Sequence, residues 1–364
     1  MCELNIGFIA RRGNFNVLRS QIGRGGYSVQ RLTSSLYIHL LENLKSTKYD
    51  ISVDKIALGF GKSNNMQRIS MIGNLLFLDL NKYDIIHANA PLPVRPVRMK
   101  TGAKLIQTCH GIHSVDKGGS CYYVEPRSRS IFEAAMSTIV DKNLLHSDFI
   151  IAVSSLTKRR LTDLGFEGKK IFVVNNGLDE RFLKDLPPKH NKKQFVLGYL
   201  GPFYLSKNVI FAINAFKKIK DENMRFEIWG RKAYEYPRLL EAARTDRRIK
   251  FMGMAPESRL VEVYDNFDAF VYPTLCDQFP GSLIEAQSRG LPVVVFKNGE
   301  ISEEARRYCL EAEDEEHMAN LLNALKENGY SEKKRNISAS HARSFTADRQ
   351  AIETLTVYKK IYGK

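Results

Sequence analysis

The chain alternates between short apolar runs and longer segments in which apolar residues recur every three or four positions. The runs Asp268–Tyr272 and Val293–Phe296 have the length and apolar character of buried parallel strands, and Ile51–Leu58 is a further strand-like run. The segment that carries Val29, Leu36 and Leu40 has the period of an amphipathic helix. Regular alternation of strand and helix predicts α/β architecture, with parallel sheets covered by helices on both faces.

The pattern predicts two doubly wound halves. We expect strands at Asn5–Ala10, Ile51–Leu58, Tyr83–Ala88, Lys104–Thr108, Phe149–Val153, Ile171–Val174, Phe195–Gly201, Arg225–Gly230, Ile249–Gly253, Asp268–Tyr272 and Val293–Phe296. We expect helices at Met71–Leu80, Ile131–Leu145, Leu156–Leu164 and, at the C-terminal end, Phe345–Tyr362. Each half therefore resembles a Rossmann-like domain.

A polar segment between Phe182 and Gln194 interrupts this alternation. It contains Pro187 and Pro188 and has no hydrophobic period, and the pattern starts again at Phe195. A length of 364 residues also fits two domains better than one. We predict an N-terminal domain over residues 1–185, a second domain over 186–345 and a C-terminal helix over 346–364.

Composition narrows the class of protein. The chain is 43% hydrophobic, but no apolar run approaches the ~20 residues needed to span a bilayer, and the first residues lack a signal-peptide pattern. We therefore expect a cytoplasmic globular protein. The five cysteines have no metal-site spacing, which predicts reduced thiols, no structural disulfide and no zinc.

The charge balance favours anionic partners. Lysine and arginine outnumber aspartate and glutamate by 55 to 40, which gives a net charge of +15. A membrane surface with acidic lipids, a phosphorylated substrate and nucleic acid all fit this balance. No base-reading or stacking motif is present, and acidic residues interrupt the basic runs, so we expect no specific nucleic-acid binding.

The central stretch runs from Tyr272 to Phe296 and predicts a strand, a loop, a helix and a second strand. The helix opens near Ser282, a residue type that caps helices. A helix N-terminus at the carboxyl edge of a parallel sheet attracts anionic or polyhydroxylated ligands. Asp277 and Glu285, eight positions apart, would border such a site. The alternative is that Asp277 only forms a turn and that Glu285 is an ordinary exposed acid of the helix.

Other strand ends carry candidate binding residues. His110 follows a predicted strand, where an imidazole can stand close to a phosphate or a sugar hydroxyl. Lys207 follows the strand that ends at Gly201, where a cation at the mouth of a helix can neutralise a diphosphate. Gly25 and Gly26 would let the backbone approach a ligand. A packed histidine, an exposed lysine and an ordinary glycine loop are the alternatives.

The central stretch resembles the signature of the retaining glycosyltransferases of family 4, group 1, in which two acids eight positions apart flank a Phe-rich glycine loop. The resemblance implies the GT-B fold, with two Rossmann-like domains facing across a cleft. It implies that Asp277 contacts donor-sugar hydroxyls, that Glu285 binds the ribose and that Lys207 binds the diphosphate. His110 would lie near the donor sugar. The remaining residues with implied donor contacts are Gly25, Gly26, Gly201, Gly230, Met254, Phe279, Pro280, Gly281 and Ser282.

This chain departs from the family pattern at two positions. Pro202 stands where the family has an arginine on the donor diphosphate, and Asp277 stands where the family usually has glutamate. Loss of a bidentate cation removes a strong charge-assisted contact. Either another arginine reaches the diphosphate, or donor binding is weaker or altered.

The resemblance implies a retaining, metal-independent transfer of a sugar from a nucleotide-diphosphate sugar, with UDP or GDP as carrier. The acceptor would be a hydroxyl of a glycan, a glycolipid or a lipid-linked intermediate, with no cofactor. Related enzymes with lipid-linked acceptors touch an anionic membrane through a basic first domain. The alternatives are a degenerate protein that binds nucleotide sugar or glycan, and an epimerase of the same fold. The sugar, base, acceptor and oligomeric state are not defined by the sequence.

Overall fold

The computed structural model describes residues 4–11, 28–45, 51–58, 78–89, 97, 101–112, 144–188 and 194–363. The chain divides into two compact units. Unit 1 contains the described residues up to 112, residues 144–177 and residues 345–363, and unit 2 contains residues 178–188 and 194–344. Each unit is an α/β domain built on its own six-stranded parallel sheet.

The strands follow the predicted apolar runs closely. They are β1 (Leu4–Arg11), β2 (Ile51–Leu58), β3 (Ile85–Ala88), β4 (Lys104–Cys109), β5 (Phe149–Ala152), β6 (Ile171–Val173), β7 (Phe195–Leu200), β8 (Met224–Trp229), β9 (Ile249–Gly253), β10 (Ala269–Tyr272), β11 (Cys276–Asp277), β12 (Val293–Phe296), β13 (Glu300–Ile301) and β14 (Leu310–Ala312). The prediction of two parallel-sheet α/β domains is confirmed.

The helices of the described part lie between these strands and after the last of them. They are α1 (Ser28–Lys45), α2 (Ser155–Asp163), α3 (Val209–Lys218), α4 (Tyr236–Ala243), α5 (Leu260–Asp265), α6 (Gly281–Ser288), α7 (Glu303–Arg306), α8 (Glu315–Asn328), α9 (Glu332–Arg343) and α10 (Ala347–Tyr362). The helices predicted at Met71–Leu80 and Ile131–Leu145 fall almost entirely outside the described residues.

The sheet of unit 1 has the order β2-β1-β3-β4-β5-β6, with every neighbouring pair parallel. Its inner strands β3 and β5 are almost wholly buried, as is typical of a parallel sheet covered by helices. Helix α10 belongs to this unit and packs Leu355 and Tyr358 into the same core as Phe8 and Leu36. The strand order reverses between β1 and β3, which marks the switch point of this sheet.

Close backbone contact fixes the start of α10 against the end of the sheet. A Cβ on Gly177 would lie 2.4 Å from the Cα of Ala347, so only glycine fits there. The Gly177 amide also donates a hydrogen bond to Gln350 Oε1 at 2.9 Å. The last helix is therefore tied to unit 1 by polar contacts as well as by apolar packing.

The sheet of unit 2 has the order β14-β12-β10-β7-β8-β9, again parallel throughout. Its core contains Leu197, Phe216, Phe226 and Val271, all fully buried. The strand order reverses between β7 and β10. The carboxyl ends of these two strands are therefore the place where an open α/β sheet binds its ligand.

The described first part of the segment predicted as a linker, residues 182–188, packs on unit 2. Arg289 donates hydrogen bonds to the carbonyls of Lys184 and Asp185 at 2.7 and 2.8 Å, and Arg343 donates to Lys184 at 2.5 Å. The compact units divide after Gly177 rather than after residue 185. Two prolines and several lysines made this segment resemble a free connection, whereas arginines distant in sequence bind its carbonyls.

Candidate functional site

Three polar side chains meet at the switch point of unit 2. Lys207 ends a 3₁₀ turn (Leu205–Lys207) that follows β7, and Asp277 lies in β11, just after β10. The Lys207 Nζ donates to the Tyr272 hydroxyl at 3.1 Å and to Asp277 Oδ2. The Tyr272 hydroxyl donates to the same carboxylate oxygen at 2.6 Å. The result is a compact Lys–Tyr–Asp cluster.

The loop that carries Asp277 is held by backbone contacts to the turn that carries Lys207. Thr274 Oγ1 and the Leu275 amide both donate to the Ser206 carbonyl, at 2.9 and 2.8 Å. A Cβ on Gly299 would lie 2.2 Å from the Thr274 carbonyl oxygen, so glycine permits this close approach. These contacts position the cluster before any ligand arrives.

Burial keeps the tyrosine of the cluster neutral. The Lys207 and Asp277 side chains are 7% and 15% exposed, so their attraction is screened less than that of a surface pair. Burial, and next the charge of Asp277, raise the pKa of Tyr272 well above its usual value. The tyrosine therefore remains a neutral hydroxyl that donates to the carboxylate.

A buried tyrosine holds the carboxylate of Glu285. It lies in α6 at 4% exposure, and its Oε2 accepts a hydrogen bond of 2.8 Å from the Tyr264 hydroxyl. Tyr264 is fully buried and packs edge to face on Phe182, with ring centroids 5.6 Å apart. This anchoring orients the carboxylate, and its predicted role at a ribose stays a prediction.

The N-terminus of α6 differs from the prediction. Pro280, rather than Ser282, is the N-cap residue, and no side chain caps the first turn. Proline has no side-chain acceptor, so the first-turn amides lack the capping bond that serine would supply. A Cβ on Gly281 would meet nothing within 4 Å, so open space adjoins this turn. Phe279 and Pro280 are buried beside it.

The sequence suggested that Lys207 opens the following helix. In the structure it lies before that helix. Helix α3 begins at Val209, after Asn208 in the left-handed conformation with φ of 50°. No side chain caps its first turn. The left-handed residue ends the 3₁₀ turn, so that Lys207 lies before the helix and its ammonium group reaches Asp277.

The glycines predicted at the ends of β7 and β8 have a packing role. A Cβ on Gly230 would lie 1.8 Å from the Gly201 carbonyl oxygen, and the Gly230 amide donates to the Gly253 carbonyl at 2.7 Å. Pro202 contributes no charge, and Arg231, on the neighbouring strand end, donates to the Tyr204 hydroxyl. Met254 follows β9 and is 56% exposed.

His110 occupies the carboxyl end of β4 in unit 1. Its Nε2 lies 3.1 Å from Asn89 Oδ1, at the end of the neighbouring strand β3, and burial lowers the pKa of His110 to about 4. One strand away, His87 binds the Tyr358 hydroxyl at 2.5 Å and Thr108 Oγ1 at 2.7 Å. Burial, and next His110, lower the pKa of His87 to about 3.

The structure thus brings Lys207 and Asp277 into direct contact, whereas Glu285 is bound by a different residue. Gly25 and Gly26 lie outside the described residues. Sequence reasoning did not assign Tyr272 or Tyr264. A tyrosine at the end of a buried strand is the one signal that was available, because a buried hydroxyl needs a partner.

The cysteine prediction is wrong at one position. Cys276, next to Asp277, is disulfide-bonded, whereas Cys109 and Cys309 are reduced. In the described residues, no group of three or more metal-ligating side chains occurs. Within the same residues, no helix has the length and apolar character needed to cross a bilayer.

Solved structures share this architecture. Sucrose-phosphate synthase from Thermosynechococcus elongatus superimposes with a TM-score of 0.77 at 13% identity, covering 99% of this chain and 100% of that one. HepE from Anabaena, solved in complex with UDP and glucose, gives a TM-score of 0.67 at 15% identity, covering 98% and 100%. These similarities show the GT-B fold.

Sequence comparison gives the family. The profile described as "Glycosyltransferase Family 4" matches residues 28–182, and the one described as "Glycosyl transferases group 1" matches residues 194–328. The chain therefore belongs to the group 1 glycosyltransferases of family 4. The D-inositol 3-phosphate glycosyltransferase of Corynebacterium glutamicum is 26% identical over 241 residues, which span 60% of this chain and 56% of that relative.

Proposed function

We propose that this protein transfers a sugar from a nucleotide-diphosphate sugar to a hydroxyl of a glycan, a glycolipid or a lipid-linked acceptor. The anomeric configuration is retained and no metal takes part. Unit 2 binds the donor and unit 1 contributes to the acceptor side. UDP and GDP are the proposed carriers, and the structure of HepE with UDP and glucose supports a nucleotide-sugar donor.

The observation that carries the proposal is the Lys207–Tyr272–Asp277 cluster at the switch point of the unit 2 sheet. A sugar nucleotide has two kinds of group that such a cluster can bind, namely an anionic diphosphate and neutral hydroxyls. The ammonium group suits the diphosphate, and the carboxylate accepts hydrogen bonds from hydroxyls. Buried and preformed, the cluster needs little reorganisation when the donor binds.

Charge development in the reaction matches the electrostatics of unit 2. As the bond from the anomeric carbon to the diphosphate breaks, negative charge grows on the leaving phosphate. The first turns of α3 and α6 have no side-chain cap, so their amide groups can stabilise that charge together with Lys207. This arrangement supplies the stabilisation that a metal ion gives in other transferases.

A binding screen tests the donor proposal. Isothermal titration with UDP-, GDP- and ADP-sugars should give saturable binding of one nucleotide, and Lys207→Ala should weaken it strongly. Lys218→Ala is the matched control, because Lys218 lies on α3 with a 41% exposed side chain paired to Glu316. Equal loss in both variants, or no binding of any nucleotide sugar, contradicts the proposal.

A transfer assay then tests the chemistry. With the donor identified, extracts of glycans and glycolipids provide the acceptors, and NMR of the product reports its anomeric configuration. We expect a retained configuration and full activity in EDTA. An inverted product refutes the retaining mechanism, and a loss of activity in EDTA refutes metal independence.

A second candidate is a donor-binding protein that does not transfer sugar. Two observations favour it, namely the absence of a charged residue at Pro202 and the engagement of Asp277 by Lys207. Tight donor binding without transfer or donor hydrolysis, across the whole acceptor set, is the result that supports it. Conversion of the UDP-sugar without an acceptor identifies an epimerase instead.

A further inference from the structure

Arg231 lies at the carboxyl edge of the unit 2 sheet, just after β8. This strand pairs with β7 along its whole length, and the pairing continues past the strand ends. The Gly201 amide donates to the Trp229 carbonyl at 3.0 Å, and the Phe203 amide donates to the Arg231 carbonyl at 3.2 Å. Arg231 is therefore fixed beside the loop that follows β7, on the edge that carries the Lys–Tyr–Asp cluster.

The guanidinium group of Arg231 is attached to the turn that leads to Lys207. It donates to the Tyr204 hydroxyl, and its Cζ lies 5.7 Å from the centre of the Tyr204 ring. Tyr204 is the N-cap residue of the 3₁₀ turn that ends at Lys207, and the Leu205 amide of that turn donates to the Tyr234 hydroxyl at 3.0 Å. A phenol is neutral, so the bond from Arg231 orients the guanidinium without cancelling its charge.

The Lys–Tyr–Asp cluster has no net charge to offer a diphosphate. The ammonium group of Lys207 is paired with the Asp277 carboxylate, and Tyr272 is a neutral hydroxyl. A nucleotide-diphosphate sugar carries a negative charge on each of its phosphates, and an anion that leaves water needs a counter-charge. Pro202, in the loop after β7, supplies none. A second cation at this edge is therefore required.

We propose that Arg231 binds the donor diphosphate together with Lys207, and that Tyr204 is a positioning residue that holds the guanidinium in place for this contact. This inference rests on the proposed function and deepens it. A guanidinium suits the task because its planar fork donates to two phosphate oxygens at once. The second cation of the donor site then comes from the end of β8, and every residue of the contact belongs to unit 2.

Substitution of Arg231 tests the contact in the full chain. Titration calorimetry with UDP, GDP and ADP identifies the nucleotide, and Arg231→Ala should weaken its binding by about 10- to 100-fold, as expected for a lost hydrogen bond between charged groups. The matching nucleoside, titrated by ligand-observed NMR, should bind both proteins equally. An equal loss for the nucleoside overturns the proposal, because it shows that Arg231 does not act on the phosphates.

The next residue in the chain provides a matched control. Lys232 is exposed, and its ammonium group lies 4.9 Å from the centre of the Tyr236 ring, which stacks on Phe203. Lys232→Ala removes one positive charge from the same strand end but none from the Tyr204 contact. This variant should bind the nucleoside diphosphate almost as tightly as the wild type. Equal losses in Lys232→Ala and Arg231→Ala reveal only an effect of net charge and overturn the proposal.

A variant at Tyr204 distinguishes ligand binding from a purely structural role of Arg231. Tyr204→Phe keeps the ring under the guanidinium and removes the hydroxyl that accepts its hydrogen bond. Affinity for the nucleoside diphosphate should fall by less than in Arg231→Ala, because the cation is still present, and affinity for the nucleoside should not change. A loss as large as that in Arg231→Ala means that only the bond to the turn matters, and it overturns the phosphate contact.

The same titrations separate this inference from the proposed function. If the wild-type protein binds a nucleoside diphosphate and its sugar, and Arg231→Ala binds both equally tightly, the role of Arg231 fails while the proposed donor site stands. If the wild type binds none of the three diphosphates and none of their sugars, the proposed function fails and the contact fails with it.

Discussion

Lys207 and Asp277 lie 70 positions apart in the chain and form an ion pair in the interior of unit 2. One residue follows β7 and the other follows β10, which are neighbours in the sheet. The sheet topology brings them together, because the chain runs from β7 through β8 to the edge strand β9 before it returns to β10 beside β7. A double-mutant cycle on this pair therefore probes the site and the fold at once.

Lys207→Met should lower the free energy of unfolding by about 3–5 kcal/mol, because it leaves a buried carboxylate without its cation. Asp277→Asn keeps an acceptor for Tyr272 but leaves the ammonium group without its counter-charge. The double variant should lose less than the sum of the two single losses. Urea unfolding of the four proteins measures the coupling, and additive losses refute a paired role.

Tyr264→Phe should destabilise the protein by about 1–3 kcal/mol, because a buried carboxylate loses a hydrogen-bond donor. Nucleotide affinity should fall as well, since the phenol holds Glu285 in its orientation. Tyr308→Phe is the matched control, because Tyr308 is 45% exposed. Urea unfolding and titration calorimetry give the two quantities. Unfolding midpoints that are equal in the two variants contradict this account of Glu285.

Two glycine substitutions separate packing from ligand contact. Gly230→Ala should cost about 3 kcal/mol of stability, because its Cβ meets the Gly201 carbonyl. Gly281→Ala should leave stability unchanged or raise it by up to about 1 kcal/mol, because the space around its Cβ is open and alanine favours helix.

Calorimetry on the stable Gly281→Ala variant then reports on the ligand. We expect weaker nucleotide binding, since a methyl group would occupy the space in front of the first turn of α6. Unchanged affinity would mean that the donor does not approach this turn.

Acid should destabilise unit 1 through its buried histidines. The folded pKa is about 3 for His87 and about 4 for His110, both below the ordinary value of 6.5. Below pH 6.5 the unfolded chain binds protons that the folded chain does not, so stability falls as the pH drops towards 4. Each histidine contributes a slope of up to about 1.4 kcal/mol per pH unit.

A histidine variant isolates this effect from the carboxylates. His110→Gln should show a shallower loss of stability between pH 6.5 and 4.5 than the wild type. Urea midpoints across this pH range provide the measurement, and parallel curves for wild type and His110→Gln contradict the assignment.

Much of the fold followed from local pattern. Strands such as Ile51–Leu58 and Val293–Phe296 were predicted with their observed bounds. Val293–Phe296 is the continuous apolar run expected of a buried parallel strand, whereas Asp54 and Lys55 interrupt Ile51–Leu58. The predictions of Lys207, Asp277 and Glu285 also came from positions at strand and helix ends. The local sequence pattern therefore predicts at which edge of the sheet a side chain lies.

Contacts between distant segments were not predictable in this way. The bond from Tyr264 to Glu285 and that from Asn89 to His110 depend on how separate elements pack. The absence of a side-chain cap at Pro280 and the arginine contacts of residues 184 and 185 had the same cause. Local propensity predicted a serine cap for α6 and a free linker at residues 184 and 185. Tertiary packing gives an uncapped first turn and a bound segment instead.

The place of α10 has a consequence for biosynthesis. Its residues Leu355, Tyr358 and Ile361 complete the core around Phe8, yet they follow the whole of residues 178–344 in the chain. At about 5–20 residues per second, a ribosome needs roughly 10–30 s to make that intervening length. The sheet of unit 1 and α1 therefore emerge first, and the part of their core that α10 completes stays uncovered while unit 2 is synthesised.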